Sequence, residues 1–485
     1  MAMTDYATEA RIAYLRWAAS AKDEEAERVR LWRDYAAGDH PTYLTDRQEE
    51  FLGLRRGEKY RHNICGLVID MAVERLQLQG FAPLDEGAQA LADMGKAWWD
   101  ANRMDATQDV IYRAAARDSV AYVMVDWDGD HPRWTVHYAW DGTQGIYPCL
   151  DSGTGAVAFY VKRWVIYNPL NKELNGRTRM NLYFPDRIEK YITTRTSNSG
   201  IGGTMWEEFQ DEGDAGWPIP WTDARGEPLG FPLVAFENPG GSEIQDLMPI
   251  QDMLNKADLD LIAATDSAGF RILYVTGVPP KVNKGTGEEE PLTLGPGKVL
   301  RFTDAAARIG AIDPVDLSQL IAVARYWIMV GAGITRTPQY LFQAMGADQP
   351  SGESLRMQEM GLVAKYMRKQ KVFGNAWEDV LYLSAKLWNM YRPGEAVPGG
   401  RVQTQWAEVT VKDEAALMQA LLQKLQMGVP EKQLWAEMGY DQATIEMFEA
   451  SRETEGKVGT SLLQQFLAGR GQKVEGRGGG AEGVA

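Results

Sequence analysis

Cysteine is almost missing from this chain: Cys65 and Cys149 are the only two in 485 residues, so no disulfide framework holds it together. Each reads as a small buried apolar residue. Histidine is nearly as scarce, at positions 40, 62, 131 and 137, which leaves little material for a metal centre or an acid–base pair. Long apolar runs are lacking too. The longest, residues 320–334, is broken by Arg325 and Gly331 short of the roughly 18 residues of a membrane span. The opening MAMTDYATEARIAYLRW has neither the basic start nor the unbroken apolar stretch of a signal peptide; it reads as an amphipathic helix after Asp5, and the expectation is a protein that stays in the cytoplasm. Positive charge is in deficit, with a net charge of −16. That argues against a sequence-reading nucleic-acid binder, which needs a basic patch against phosphate, and does not exclude a surface that DNA slides past without sticking.

Catalytic signatures are lacking as well. There is no Gly-x-Ser-x-Gly elbow, no paired-cysteine cluster and no His-Glu-x-x-His run. Gly295-Pro-Gly-Lys298 lacks the first glycine of a phosphate loop and has Val299 where Ser or Thr would hold magnesium, so it reads as a turn before a strand. Asp126, Asp128 and Asp130 alternate as cation ligands can, yet the remaining calcium-loop ligands are missing and a solvated hairpin turn is expected. His131 and His137 read as polar strand positions. Lys365, Arg368, Lys369 and Lys371 read as a solvated helix face. Together these point to a non-enzyme with no cofactor and no metal.

The apolar 45% and charged 24% of the chain are ordinary for a globular protein, and the length allows more than one core. Residues 6–35 and Asn63 to Leu76 have helical apolar spacing, as do Ala88 to Trp98 and Asp105 to Ser119. Period two follows in Val120 to Asp126 and Arg133 to Tyr138, flanking the hairpin signal Asp128-Gly129. Further short strands are expected at 156–167, 180–184 and 188–194. The helical period returns at Ser242, with Leu247, Leu254 and Leu261 seven apart and Ile250, Ala257 and Ala264 between them, a seam for helix-on-helix packing. Around it lie Glu243, Asp246, Asp252, Asp258, Asp260 and Asp266, with Lys256 the only base. Residues 271–276 and 298–302 read as strands, Asp316 caps an apolar helix over 317–333, and Ser351 caps a helix that can run to Tyr391. At 1.5 Å per residue that helix is on the order of 60 Å long. A strand over 406–411 and helices over 414–426, 431–438 and from Asp441 complete the order. The tail GRGQKVEGRGGGAEGVA is too polar to fold.

This order resembles the portal proteins of tailed bacteriophages over nearly the whole chain. The resemblance is carried by Tyr35-Ala-Ala-Gly38, Asn63 to Leu76 with Gly80-Phe81, Ala121-Tyr-Val123 and Glu237-Asn-Pro239. It continues in Ser242-Glu-Ile-Gln-Asp-Leu-Met-Pro-Ile-Gln-Asp252 with Asn255-Lys256, in Ser351-Gly-Glu-Ser-Leu355, in Phe373-Gly-Asn-Ala-Trp377, and in Trp406 with the helix pair around Gly428. It implies a mostly helical α+β fold. The implied parts are an N-terminal helical segment (1–60), an α+β wing (61–241), two stem helices (242–269 and 316–338) around a β-containing clip (270–315), a tunnel loop (339–352), a long wing helix (353–395), a helical crown (396–455) and a flexible tail (456–485).

The resemblance further implies a homo-oligomeric ring, usually a dodecamer, at one vertex of the virion capsid, assembled in the host cytoplasm. Double-stranded DNA would be packaged and ejected through it. Partners would be the terminase large subunit, head–tail connector or adaptor proteins, and the major capsid and scaffolding proteins, with no membrane. The tunnel loop would offer Gln343, Met345, Asp348, Gln349 and Ser351 to DNA. The stem would present an acidic wall of Asp246, Asp252, Asp258, Asp260 and Asp266, and the clip would bind partners through Lys281, Lys284, Glu288, Glu289 and Glu290. Two other functions fit the same sequence: a DNA-processing enzyme holding magnesium on Asp126, Asp128 and Asp130, and a different head-assembly protein.

Overall fold

The structure, a computed structural model, describes residues 23–41, 50, 62–194, 196, 206–214, 216–269, 273–276, 308–311, 316–342, 352–409, 414–438, 444–445 and 447–448. The chain divides into two compact units, Met1–Val409 and Thr410–Ala485. In the first, α1 (Asp23–Ala37) and α2 (Ile64–Glu74) precede strand β1 (Leu78–Pro83), then α3 (Gln89–Ala101) and α4 (Met104–Asp118). The hairpin β2 (Val120–Trp127) and β3 (Pro132–Tyr138) leads into an antiparallel sheet of β4 (Gly145–Leu150), β5 (Val157–Val165), β6 (Thr178–Tyr183) and β7 (Arg187–Thr193). Short strands β8 (Trp206–Glu208) and β9 (Ile219–Pro220) both pair with β7, and β10 (Leu233–Glu237) returns to the open side of β2. Next come α5 (Met248–Gly269), a two-stranded ribbon of β11 (Leu273–Thr276) and β12 (Arg308–Ala311), α6 (Leu317–Thr335), α7 (Gly352–Tyr391) and β13 (Val402–Trp406). The second unit contains α8 (Glu414–Gln426) and α9 (Glu431–Glu437), which bury Leu421, Leu434 and Trp435.

These elements match the mostly helical α+β fold that the resemblance implies. Most boundaries fall within two residues of the periodicity, and Cys65 and Cys149 are both buried. One strand is displaced. The strand expected at 406–411 lies earlier, at Val402–Trp406, and pairs antiparallel with Leu78–Pro83, so residues 396–409 fold with the first unit. The partner of Leu273–Thr276 is Arg308–Ala311, while residues 298–302, Gly295 to Lys298 and the Ser351 cap lie outside the described residues.

The main core forms along one stripe of α7. Leu362, Tyr366, Phe373, Trp377, Val380, Leu381 and Leu387 are all buried, at the three- and four-residue spacings of one helix face. Trp377 packs against Trp99 at 4.9 Å and Phe236 at 4.9 Å between ring centroids, and its indole N–H donates to the Tyr112 hydroxyl at 2.9 Å. Trp134 donates to Ser384 Oγ at 2.8 Å. Helices α3 and α4, the β2 hairpin and β10 are thereby gathered on a single helix, the Trp377 and Trp134 indoles each contributing a large apolar area with the one polar atom satisfied.

The start of α2 is closed by two amides. Asn63 caps it locally, its side-chain oxygen accepting from Gly66 N at 2.9 Å, as an N-cap residue does. Gln251, from α5, accepts from Ile64 N at 2.9 Å and Cys65 N at 3.3 Å. Its amide nitrogen donates to His62 O at 2.5 Å and Asn255 Oδ1 at 2.9 Å. Asn255 Nδ2 in turn lies 3.0 Å from His40 Nδ1, and His40 Nε2 lies 3.1 Å from Tyr35 O. This buried network docks α1 and α2 on α5, with every amide group spent.

A second tie uses charge. Glu243, just before α5, is buried between Lys365 and Lys369 of α7, and Lys365 also donates to Thr335 O at the end of α6 at 3.0 Å. Lys369 is 2% exposed. The solvated basic face expected from Lys365, Arg368, Lys369 and Lys371 is therefore corrected: a buried carboxylate draws two of the four inward, and Arg368 and Lys371 alone stay exposed. Burial by itself would raise the Glu243 carboxyl, but the charges of Lys369 and Lys365 overcome it and hold it down at about 2.

Two outcomes follow. Gln251→Ala strands the Cys65 N–H in the core, at about 1–3 kcal/mol, and leaves the Ile64 N–H only its contact with His62 O, so the urea midpoint of the dissociated subunit falls clearly. Glu243→Gln leaves two buried ammonium groups without their carboxylate and costs about 3–5 kcal/mol at neutral pH. Because the folded carboxyl titrates below its ordinary value of 4.5, its contribution is complete above that value and is lost as pH falls through about 2. Unfolding curves at pH 7 and pH 3 therefore show a smaller gap between wild type and variant at the lower pH.

Candidate functional site

The sequence directs attention to the helix pair α5 and α6. Pro249 stands at the second position of α5, where its missing N–H costs nothing. Asp316 caps α6, its carboxylate accepting from Ser318 N at 2.9 Å. The two helices approach closely at Gly331, where an added Cβ would lie 3.0 Å from Leu247 Cδ1 and 3.5 Å from Ile250 Cγ2. Leu254 and Ala257 are buried on α5, while Leu261 and Ala264 are only partly so. The predicted seam thus closes toward the start of α5 and opens toward its end.

The acidic residues of this segment do not share one environment. Asp246 and Asp260 are exposed. Asp252 accepts from the Tyr35 hydroxyl at 2.8 Å, and Asp258 lies 3.3 Å from His62 Nδ1, a hydrogen bond that raises the imidazole's pKa. Asp252 and Asp258 therefore take part in docking the N-terminal helices. Asp266 is part of α5, but its side chain is outside those described. Gln343, Met345, Asp348, Gln349 and Ser351, and likewise Lys281, Lys284, Glu288, Glu289 and Glu290, lie outside the described residues.

The three aspartates of the β2–β3 hairpin diverge. Asp126 pairs with Arg133 at 3.0 Å, Asp130 with Arg392 at 2.8 Å, and Asp128 accepts from the N–H groups of His131 and Asp130, both at 2.9 Å. Those backbone donors hold the Asp128 carboxyl below its ordinary value. The arrangement is a turn, as its Asp-Gly signal indicates. Among the described residues no group of three or more acidic, histidine or cysteine side chains could hold a metal ion. His137 sits on β3 with burial lowering its pKa to about 4, a neutral ring near Thr135 Oγ1 and Lys162.

Sequence reading missed the surface of α6. An 18-residue window of this helix has a mean hydropathy of 1.4, yet only 11% of it is buried within the subunit. Ile321, Val323, Tyr326 and Met329 are all at least 40% exposed. By length and composition alone α6 could cross a bilayer, which corrects the view of 320–334 as a broken run. Its packing partner α5 carries Asp252, Lys256, Asp258 and Asp260, however, and such a helix does not enter hydrocarbon. A helix that is apolar all round is a buried one, so α6 requires cover beyond the described residues of the subunit.

A cavity of about 360 Å³ opens where Gly240 and Gly241 pass the end of α6 and the middle of α7, lined also by Glu243, Arg336, Lys365 and Arg368. Arg336 closes α6 in the left-handed region at φ 55°, its N–H bonding back to the last turn. The ends of α6 and α7 are thus fixed to one another by Glu243, Lys365 and this cap, and by the Tyr340 hydroxyl donating to Glu359 at 2.5 Å.

Comparison with known proteins agrees with the layout. Residues 17–457 match the family described as phage portal protein, SPP1 Gp6-like. The chain is 26% identical to the portal protein of Mycobacterium phage D29 over 426 residues, which are 82% of this chain and 80% of that protein. It is 24% identical to the portal protein of Mycobacterium phage L5 over 431 residues, or 82% and 79% of the two chains. With the family pattern spanning both the antiparallel sheets and the helix pair, this chain belongs to the SPP1 Gp6-like family of phage portal proteins.

Proposed function

We propose that this portal protein is the conduit for double-stranded DNA during packaging and ejection, and the docking ring for the packaging motor and the head–tail connector. The family is structural rather than enzymatic, and its members form homo-oligomeric rings in the virion at the capsid vertex. The observation that supports the ring here is the uncovered apolar surface of α6. Side chains such as Tyr326 and Met329, 51% and 50% exposed, are one turn apart and face the same way. A neighbouring copy supplies their cover on each side, and closure removes the exposed ends.

In this reading the ring is a dodecamer. Asp246 and Asp260 face outward from a subunit whose net charge is −16, and an acidic lining keeps phosphate contacts few, so the duplex moves with little adhesion. Gln343, Met345, Asp348, Gln349 and Ser351 line the narrowest part. Residues 270–315, with Lys281, Lys284 and Glu288 to Glu290, engage the terminase large subunit and then the connector proteins. Major capsid and scaffolding proteins contact the periphery, and assembly takes place in the host cytoplasm.

Negative-stain microscopy with mass photometry tests the ring. Wild-type protein gives particles with an axial hole and a mass near twelve subunits, whereas Tyr326→Asp combined with Met329→Asp places carboxylates in the apolar interface and leaves folded subunits with unchanged circular dichroism. Flotation of wild-type protein with lipid vesicles in place of rings would assign α6 to a bilayer instead. Deleting residues 345–349 leaves rings intact and abolishes DNase-protected DNA in a packaging reaction; loss of the rings would make that segment an assembly element.

A further inference from the structure

The cavity of about 360 Å³ at the end of α6 runs against the acidity of the chain. Four bases line it, Arg336, Lys365, Arg368 and Lys369, with two acids, Glu243 and Asp246, in a protein of net charge −16. Lys365 and Lys369 are spent on the buried Glu243, which leaves that trio with one positive charge. Arg336 and Arg368 are exposed, and neither makes an ion pair or a side-chain hydrogen bond among the described residues. With Asp246 counted, the lining keeps two positive charges. The cavity beside α2 shows the alternative: its three arginines, Arg33, Arg113 and Arg117, all reach carboxylates. Unpaired guanidiniums at a cavity are the donors that an anion site requires.

The geometry brings the two arginines to the same stretch of α7. Arg336 lies over Gly361, where an added Cβ would stand 3.9 Å from Arg336 Cβ. Arg368 follows Gly361 by seven residues, two turns along nearly the same face and about 10 Å further on at 1.5 Å per residue. Ala364, which also lines the cavity, stands between them and is too small to fill the space. Gly240 borders the same cavity at φ 99°, with nothing within 4 Å of where a Cβ would stand and with no acceptor for its N–H among the described residues, so an anion can approach the backbone closely there. Two planar forks of donors on one group suit a tetrahedral oxyanion, whose oxygens point in several directions, better than a flat carboxylate.

We infer that this cavity binds a phosphate group, its oxygens held by the guanidiniums of Arg336 and Arg368 beside the Lys365–Glu243–Lys369 cluster. Two sources carry that chemistry, the backbone of a DNA duplex and free phosphate. The duplex as source rests on the conduit reading, in which each subunit would offer passing DNA one cationic point in an otherwise acidic lining; the site itself stands on the cavity alone.

The test uses the full chain at constant ionic strength, with inorganic phosphate and a short labelled DNA duplex as probes. Phosphate raises the thermal midpoint of the wild-type protein more than that of Arg336→Gln combined with Arg368→Gln. Stabilisation by exclusion of phosphate from the surface acts on both alike, so equal shifts overturn the site. If circular dichroism shows that the double variant does not fold, Arg368→Gln alone replaces it, because Arg368 is an exposed helix position. Duplex affinity, read by fluorescence anisotropy, then separates the sources. A several-fold loss in the variant, with phosphate competing against the duplex in wild type, assigns the DNA backbone; a lost phosphate shift with unchanged duplex affinity assigns free phosphate. Rings that fall apart in the variant, seen by mass photometry, would show the arginines paired with a neighbour's carboxylates and overturn the proposal. Wild-type protein without rings would defeat the conduit reading and the duplex source with it, while the phosphate arm still decides the cavity.

Discussion

The indole of Trp377 touches Trp99, Trp134 and Phe236 and gives its one hydrogen to Tyr112, so a single side chain of the long helix fixes two other helices, a hairpin and a returning strand. That anchoring is what makes 40 residues of helix stable, because isolated helices gain most of their stability from burying an apolar stripe. The remaining parts of the first unit are arranged around it. The four-stranded path from β4 to β7 keeps a separate aromatic core around Phe159, Val161, Met180 and Leu182. The α5–α6 pair is tied to α7 through Glu243.

That tie changes how the acidity of the chain is understood. Counted along the sequence, Glu243, Asp252 and Asp258 belong to one negative run. In space, Glu243 is neutralised by two buried lysines, Asp252 is bound by a tyrosine, and Asp258 is bound by a histidine. A buried pair of this type gains little over apolar packing, yet breaking it is costly. It therefore fixes the relative position of α7 and the entry to α5 more than it adds stability. Asp246 and Asp260 are the two acidic residues of this segment that stay exposed among those described.

Local elements were legible in the sequence wherever one period dominated. The alternation of Val120 to Asp126 and the hairpin signal at Asp128-Gly129 placed β2 and β3, and the 3.6-residue stripe of 353–391 placed α7 almost to the residue. Partners were not legible. Nothing local in Leu78–Pro83 or Val402–Trp406 marks either segment for the other, since pairing across such a distance is set by the core they cover. The burial of Lys369 left a fainter trace: Lys365 and Lys369 are one turn apart and flank Tyr366, on the face that otherwise carries Leu362 and Phe373. Charge read one residue at a time points to solvent, and only the partner carboxylate, 126 residues away, reverses it. As for the candidate site, the two helices and the Asp316 cap were visible beforehand. The exposed apolar surface of α6 was not, because composition cannot say whether an apolar helix is covered from within or from outside.

The pairing of β1 with β13 also bears on the order of events during synthesis. Arg75, at the end of α2, reaches the carbonyl of Val409 at 2.9 Å across 334 residues of chain, so the N-terminal half stays incomplete until nearly all of the first unit has been made. Closing so long a loop is slow, and until it closes the aromatic stripe has no long helix to pack on. A truncated product ending before Val402 would lack the last strand of its own core, and incomplete chains of that kind are poor candidates for incorporation. Contact between positions so far apart in the chain makes closure of this core one of the last steps of its folding.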